Sequence, residues 1–292
     1  NPMKKSYVLL FLILLLPGCL NQAPEDESAT ISVSIEPFRF FTEAIAGETY
    51  SVNVIVPPGA SPATYEPPPS VIKGIKNSGI IIINGYLGFE LAWIDRLTGL
   101  NEEMEVLRLA DSQDLIAADS HRHGDIIHYT GVDPHFWVSP HRAAIIARDI
   151  KDFLLASNPA DSGIYKTNYL KLDSLIKSTG EYLETLFREV GNTSFIIYHP
   201  SLTYLAHDYG LEQVSVETEG KEPSPSELKK LIDYGREKNI KVIFVQREFD
   251  RKNADIIGKE IGAETVVIDP LDANWVKSVR NIAENIAGKT NN

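Results

Sequence analysis

Short runs of apolar, β-branched residues alternate along this chain with segments in which apolar residues recur every three or four positions. The runs at 31–35, 52–56 and 79–83 predict strands, and the segment 38–47 predicts a helix. Alternation of this kind is typical of βαβ units and favours a mostly parallel sheet. The first half of the chain is therefore predicted to form an α/β lobe.

Two amphipathic helices are predicted in the middle of the chain, over residues 140–156 and 164–190. The longer one carries a single apolar stripe at steps of three, four and seven, formed by Tyr165, Tyr169, Leu172, Leu175, Ile176, Leu183 and Leu186. At about 1.5 Å per residue this helix is about 40 Å long, which is more than one small lobe needs. We expect it to brace two lobes.

The second half repeats the α/β pattern. Strands are predicted at 194–198, 213–216, 240–245 and 265–268. One intervening helix has a readable start, with Ser224 as N-cap, Pro225 at the first helical position and Glu227 three residues after the cap. The fold class that follows is α/β, with two lobes.

The first 30 residues have the composition of an export signal followed by a linker. Lys4 and Lys5 precede an apolar run that is too short to span a bilayer of about 30 Å as a helix. The run ends in Leu-Pro-Gly-Cys, which resembles a lipobox. Residues 1–18 are therefore predicted to be a lipoprotein signal peptide, Cys19 the lipid attachment site, and 19–30 a flexible leash that anchors an extracytoplasmic protein to the cell membrane.

Composition limits the partners and the chemistry. The formal charge is −12 for 292 residues, which disfavours nucleic acid as a partner and suits a protein that accumulates cations. Cys19 is the single cysteine, so neither an intrachain disulfide nor a cysteine-rich metal site can form. A metal site in this chain has to use imidazole and carboxylate.

Three side chains stand where an α/β protein binds ligands, beyond the carboxyl ends of strands or in a turn. His199 directly follows the strand 194–198, Asp269 directly follows 265–268, and His135 lies in an Asp-Pro-His-Phe-Trp turn. Imidazole and carboxylate together suit zinc or manganese. Each residue also has an ordinary interpretation: a hydrogen-bonded surface histidine, an aspartate-proline turn and a histidine packed in the core.

Five segments carry a resemblance that covers residues 31 to about 287. They read PGASPATYEP at 58–67, DPHFWVSP at 133–140, HP at 199–200, EPSP at 222–225 and IDPL at 268–271. In this order they resemble the metal-binding receptors of ABC importers, the zinc and manganese solute-binding proteins called cluster A-I. The resemblance implies an N-terminal α/β lobe over 31–157, a long rigid linking helix over 158–191 and a C-terminal α/β lobe over 192–292.

The resemblance also implies a metal ion held between the lobes by three histidines and one carboxylate. His135, His199 and Asp269 match three of these positions, whereas Ala63 stands where the family has its remaining histidine. Three explanations stay open: a water fills the gap, His121 or His123 reaches in from a mobile surface loop over 112–132, or the receptor has changed its ligand. The histidines of that loop are otherwise ordinary solvated residues.

The predicted function is that of a monomeric extracytoplasmic receptor, not an enzyme, that captures Zn²⁺ or Mn²⁺ and delivers it to an ABC permease in the membrane. Ala63 motivates one alternative, a receptor or adhesin of the same fold with altered or lost metal dependence. A metallohydrolase is the other, since two histidines and a carboxylate with an open position resemble catalytic zinc. No recognisable general-base motif accompanies them.

Overall fold

The computed structural model describes residues 29–99, 101–118, 120–123, 126–129, 131–190, 194–217 and 221–289, with the backbone alone for 120–123 and 126–129. The predicted signal peptide, Cys19 and residues 19–28 of the predicted leash lie outside these ranges. Within them, no helix has both the length and the apolar character needed to cross a membrane.

The first lobe is built around a four-stranded parallel sheet. Its elements are β1 (Thr30–Val33), α1 (Glu36–Ala46), β2 (Ser51–Val54), α2 (Pro69–Lys76), β3 (Ile80–Ile83), α3 (Gly88–Thr98) and β4 (Glu105–Arg108). The strand order is β2-β1-β3-β4, with every pair parallel. The four isoleucines of β3 are all buried, as expected for an inner strand of a parallel sheet, which is covered on both faces.

A β-hairpin follows the first lobe where we predicted an irregular loop. β5 (Ser120–His123) and β6 (Ile126–Tyr129) pair antiparallel, and a bridge between Ala117 and Val132 continues the ribbon. No strand was predicted here, because β5 is polar throughout and the adjacent Ile126 and Ile127 of β6 break the strict apolar–polar alternation of a half-buried strand. The side chains of His121 and His123 lie outside the described part of the chain, so their contribution to a site stays a prediction.

Two long helices occupy the middle of the chain, α4 (Pro140–Ser157) and α5 (Ser162–Arg188). The predicted stripe of α5 is largely confirmed, although Leu175 is exposed. Its five buried members are Tyr165, Leu172, Ile176, Leu183 and Leu186. The helix packs against α1 and α4 of the first lobe. Its 27 residues give a length of about 40 Å, enough to span both lobes.

The second lobe repeats the architecture of the first. Its elements are β7 (Ser194–Ile197), α6 (Thr203–Tyr209), β8 (Glu212–Ser215), α7 (Pro225–Glu237), β9 (Val242–Gln246), α8 (Lys252–Ile261), β10 (Glu264–Ile268) and α9 (Trp275–Ile286). The sheet has the order β10-β9-β7-β8, again parallel. α7 begins as predicted: Ser224 Oγ accepts from the Glu227 N–H, and the Glu227 carboxylate accepts from the Ser224 N–H.

Two tryptophans connect the segment after β10 to the first lobe. The indole N–H of Trp137 donates to the Pro270 carbonyl at 2.9 Å, and that of Trp275 donates to the Trp137 carbonyl at 2.7 Å. The Trp275 ring lies against Phe40 and Phe41 of α1. The predicted fold of two α/β lobes with a long helix is confirmed, while the exact lobe boundaries stay a prediction.

Candidate metal centre

His135 lies in a turn that hydrogen bonds hold in one geometry. Asp133 Oδ1 accepts from the backbone N–H of His135 at 2.8 Å and lies 2.9 Å from its Nδ1. Asn84, directly after β3, donates to the Pro134 carbonyl, and Tyr204 of α6 donates to the Asp133 carbonyl. Because a carboxylate faces Nδ1, the proton of the neutral ring resides there, and Nε2 keeps its lone pair.

His199 is held in a comparable way at the end of β7. Its Nδ1 lies 2.5 Å from Glu217 Oε1, and its ring stacks on Phe249 with 5.3 Å between centroids. The buried side-chain amide of Gln246, the last residue of β9, accepts from the His199 N–H and donates to the His199 carbonyl and to Ser201. Both the ring and the backbone of His199 are therefore fixed by the second lobe.

The two imidazoles present their free nitrogens to each other. Nε2 of His135 and Nε2 of His199 lie 3.3 Å apart, with the rings nearly perpendicular at 76°. Two lone pairs that face each other across this distance repel unless an electrophile lies between them. Two Zn–N bonds of about 2.05 Å at a tetrahedral angle separate the nitrogens by about 3.3 Å. The pair thus has the spacing of two ligands that share one ion.

The carboxylates behind the imidazoles are buried. Burial alone would raise the pKa of Asp133, but the His135 ring and hydrogen bonds from His135 and Thr203 outweigh it and lower that pKa below its ordinary value. Glu217 is 5% exposed. A metal-binding histidine whose second nitrogen donates to a carboxylate has its orientation fixed and its basicity raised. Each imidazole therefore has the orientation and the basicity of a metal ligand.

Sequence reasoning missed both of these carboxylates. Asp133 carried a signal, since an aspartate often bonds the backbone two residues further on, which here is His135. Glu217 carried none, because it lies 18 residues after His199 in the chain and approaches it only through the parallel pairing of β7 with β8.

The imidazole pair opens into two adjoining cavities of about 140 and 930 Å³. Ala63 from the first lobe and Glu248 from the second lobe line both cavities, together with the two histidines. The position at which the family has a histidine therefore does face the pair, and in this chain it presents only a methyl group. Burial is the main cause that raises the pKa of Glu248, and the negative charge of Asp269 raises this pKa further.

Asp269, the predicted carboxylate ligand, does not face the imidazole pair. Its Oδ2 accepts from Arg247 Nη1 at 2.9 Å, and its Oδ1 accepts from the Leu271 N–H at 3.0 Å. It lines neighbouring cavities together with Arg247. In the part of the chain that the structure describes, no three histidine or acidic side chains lie close enough to hold one ion together. The assignment of Asp269 as a ligand stays a prediction.

Two further histidines lie outside the pair. His141 stacks on Tyr209 with 5.2 Å between ring centroids, and His207 bonds Asp208 through Nδ1 at 2.9 Å. Both side chains are more than half exposed, at 51% and 61%. Among the histidines whose side chains the structure describes, only His135 and His199 thus face each other.

Comparison with known proteins places this geometry in a family context. The sequence model of the family described as "Zinc-uptake complex component A periplasmic" matches residues 31–289. The chain is 29% identical over 286 residues to the zinc-binding lipoprotein AdcA of Streptococcus pneumoniae strain R6, covering 93% of this chain and 56% of that protein. It therefore spans about half the length of that relative.

Other relatives match over most of their length. The chain is 26% identical over 280 residues to the high-affinity zinc uptake system protein ZnuA of Bacillus subtilis, covering 91% of this chain and 88% of that protein. A crystal structure of a ZnuA superposes with a TM-score of 0.83 at 32% identity, covering 89% of this chain and 98% of that one. A mutant of the laminin-binding adhesin Lmb of Streptococcus agalactiae is alike in fold alone, with 24% identity, a TM-score of 0.78, and coverage of 90% and 100%.

Proposed function

Because this chain belongs to the zinc-uptake complex component A family, we propose that it is a receptor that captures a divalent transition-metal ion outside the cytoplasm and delivers it to an ABC permease. The observation that carries the proposal is the pair of opposed Nε2 atoms of His135 and His199, 3.3 Å apart, each imidazole backed by a buried carboxylate. Such a pair binds a borderline cation without any rearrangement of its own.

Zinc is the cargo that the pair favours over manganese. The nitrogen spacing fits tetrahedral zinc, and imidazole is a better ligand for zinc than for manganese, which prefers oxygen. The relatives named for zinc agree with this preference. Asp269 remains the predicted carboxylate ligand, and it has to leave Arg247 to take part. His121 or His123 remains a candidate for the position opposite Ala63.

The setting proposed for the receptor follows from its first residues and its relatives. Residues 1–18 direct export, Cys19 carries the lipid anchor, and the receptor works as a monomer beside a permease in the membrane. The name of the pneumococcal relative, a zinc-binding lipoprotein, supports this setting. The family is one of metal-transport receptors, and we propose no enzymatic activity for this chain.

The alanine at position 63 favours a second candidate function, that of a receptor or adhesin of the same fold whose activity has become independent of metal. The two candidates differ in what a restored histidine does. Ala63→His places a third imidazole at a wall shared by both cavities. If the cleft still binds metal, the unaltered chain binds zinc and Ala63→His binds it at least as tightly; if the cleft has been put to another use, neither protein binds zinc.

The test is metal analysis of protein purified without chelators, followed by calorimetric titration of the stripped protein with zinc and with manganese. We expect one ion per chain, tighter binding of zinc than of manganese, and a large loss of affinity in His199→Ala. His141→Ala is the matched control, because that histidine is exposed and lies outside the pair. Absence of binding by any divalent ion, or equal losses in both variants, contradicts the proposal.

A further inference from the structure

The carboxylates that line the two cavities differ in their hydrogen-bond partners. Asp133 faces Nδ1 of His135, and Glu217 faces Nδ1 of His199. Glu248 is the remaining acidic residue of either cavity wall. Among the described residues, no other side chain donates a hydrogen bond to its carboxylate, which interacts instead with its own backbone N–H. Glu248 is thus an available oxygen ligand beside the imidazole pair.

We propose that Glu248 supplies the metal ligand that Ala63 cannot, so that a carboxylate takes the coordination position of the family's remaining histidine. The inference rests on the proposed function, because it concerns the same ion between His135 and His199. It assigns a ligand from the second lobe, two residues beyond the end of β9, to a position that the family's pattern assigns to the first lobe.

Charge supports this exchange. Within the coordination shell itself, two neutral imidazoles offset neither positive charge of the ion, and the carboxylates of Asp133 and Glu217 lie on the far side of the rings. An uncompensated charge that is removed from water is costly, whereas an adjacent carboxylate offsets it. With Glu248 and Asp269 both present, the charges of the ion and its ligands cancel. Without Glu248, one positive charge remains.

The Glu248 carboxylate lies beside the imidazole pair and has to turn toward it to bind the same ion. The side chain already lines both cavities together with His135 and His199. A glutamate has three side-chain torsions, and its staggered rotamers place the carboxylate at well-separated points around one Cα. The proposal therefore calls for a change of rotamer at Glu248, while the hydrogen bonds of Gln246 hold the backbone at the end of β9.

The experiment compares Glu248→Gln with the control Glu237→Gln. The control removes the same charge from an exposed position at the end of α7, away from the cleft. Stripped proteins are titrated with zinc by calorimetry and with Co²⁺ by visible absorption, which reports the ligand set of the bound ion. We expect Glu248→Gln to weaken zinc binding by about 100-fold or more and to change the Co²⁺ spectrum. Glu237→Gln should match the unaltered chain in both.

A second variant tests which position Glu248 fills. Ala63→His in the Glu248→Gln background should restore zinc affinity to within about tenfold of the unaltered chain, since outer groups alone account for changes of that size. Circular dichroism and thermal unfolding establish that each variant is folded.

The outcomes separate the two proposals. Unchanged zinc affinity and an unchanged Co²⁺ spectrum in Glu248→Gln, together with loss of binding in His199→Ala, overturn the role of Glu248 and leave the receptor function standing. No binding of zinc or Co²⁺ by the unaltered chain overturns both.

Discussion

At the scale of single residues, the candidate site depends on two carboxylate–imidazole pairs rather than on two isolated histidines. Asp133 and Glu217 bond the Nδ1 atoms and thereby direct both Nε2 atoms to one point. The aromatic rings of Trp137 and Phe249 lie against the two imidazoles and restrict their rotation. The geometry of the imidazole pair is therefore set before the ion arrives.

Replacing either buried carboxylate by its amide tests this arrangement. We expect Glu217→Gln and Asp133→Asn each to weaken zinc binding by about 10- to 100-fold, because an amide no longer fixes the tautomer and orientation of the ring. Calorimetric titration measures the change. Glu264→Gln, an exposed position at the start of β10, is the control. Full affinity in both amide variants would show that the imidazoles need no support.

At the scale of elements, the first turn of α3 positions the segment that carries Ala63. The Phe89 N–H donates to the Pro62 carbonyl at 3.0 Å, and the buried Glu90 carboxylate accepts from the N–H groups of Asn84, Gly85 and Leu87. The backbones approach so closely at Gly88 that an added Cβ would lie 2.2 Å from the Ala63 carbonyl oxygen. Only glycine fits this contact.

Gly88→Ala should therefore lower the free energy of unfolding by about 1–3 kcal/mol, the usual cost of overpacking, unless the Ala63 segment moves away. Thermal and denaturant unfolding measure the loss. Gly163→Ala serves as the control, since an added Cβ meets no atom within 4 Å near the start of α5. Equal stability of Gly88→Ala and the unaltered chain would contradict the close contact.

A second contact between elements joins α4 to α6. Arg142 donates two hydrogen bonds to Asp208, each at 3.1 Å, and Ser139 donates a third at 2.6 Å. Burial would raise the pKa of Asp208, but these hydrogen bonds and that of His207 outweigh it and hold the pKa below the ordinary value of 3.8. A carboxyl whose pKa is lowered by folding stabilises the fold above its unfolded pKa and loses that effect as the pH falls.

We expect Asp208→Asn to cost about 3 kcal/mol at neutral pH, because it leaves the Arg142 guanidinium buried without its anion. The difference from the unaltered chain should shrink below about pH 4, where the unfolded carboxyl binds its proton. Urea unfolding across the pH range measures both effects. A difference that stays constant with pH would exclude the ion pair as its cause.

The sequence predicts elements better than it predicts side-chain partners. Apolar periodicity located α5 and the inner strands, because burial of one stripe or of a whole strand leaves a repeating pattern. The strand-end rule placed His199 at the sheet edge, and its side chain lines the cleft, while its role as a ligand stays a prediction. It placed Asp269 at the same sheet edge, but Arg247 comes from the neighbouring strand end and holds that carboxylate. Which partner a side chain selects depends on register and rotamer, and periodicity encodes neither.

At the scale of the whole molecule, both lobes are fastened to one rigid frame. α5 packs on α1 and α4, and also on α9, where Tyr182 donates to Glu284 at 2.7 Å. The bonds of Trp137 and Trp275 join the segment after β10 to the first lobe. A frame of this kind leaves little freedom for hinge closure between the lobes.

Zinc binding should accordingly leave the overall dimensions nearly unchanged. We expect the radius of gyration from small-angle X-ray scattering to differ by no more than about 1 Å between the chelator-stripped and zinc-loaded chain, as in other pre-organised complexes. A larger compaction would mean that the lobes hinge despite the long helix.

Anomalous diffraction at the zinc absorption edge, from crystals of the zinc-loaded chain, locates the bound ion itself. We expect one strong peak per molecule within about 2.1 Å of Nε2 of both His135 and His199. A peak that lies elsewhere, or that touches only one of the two imidazoles, would contradict it.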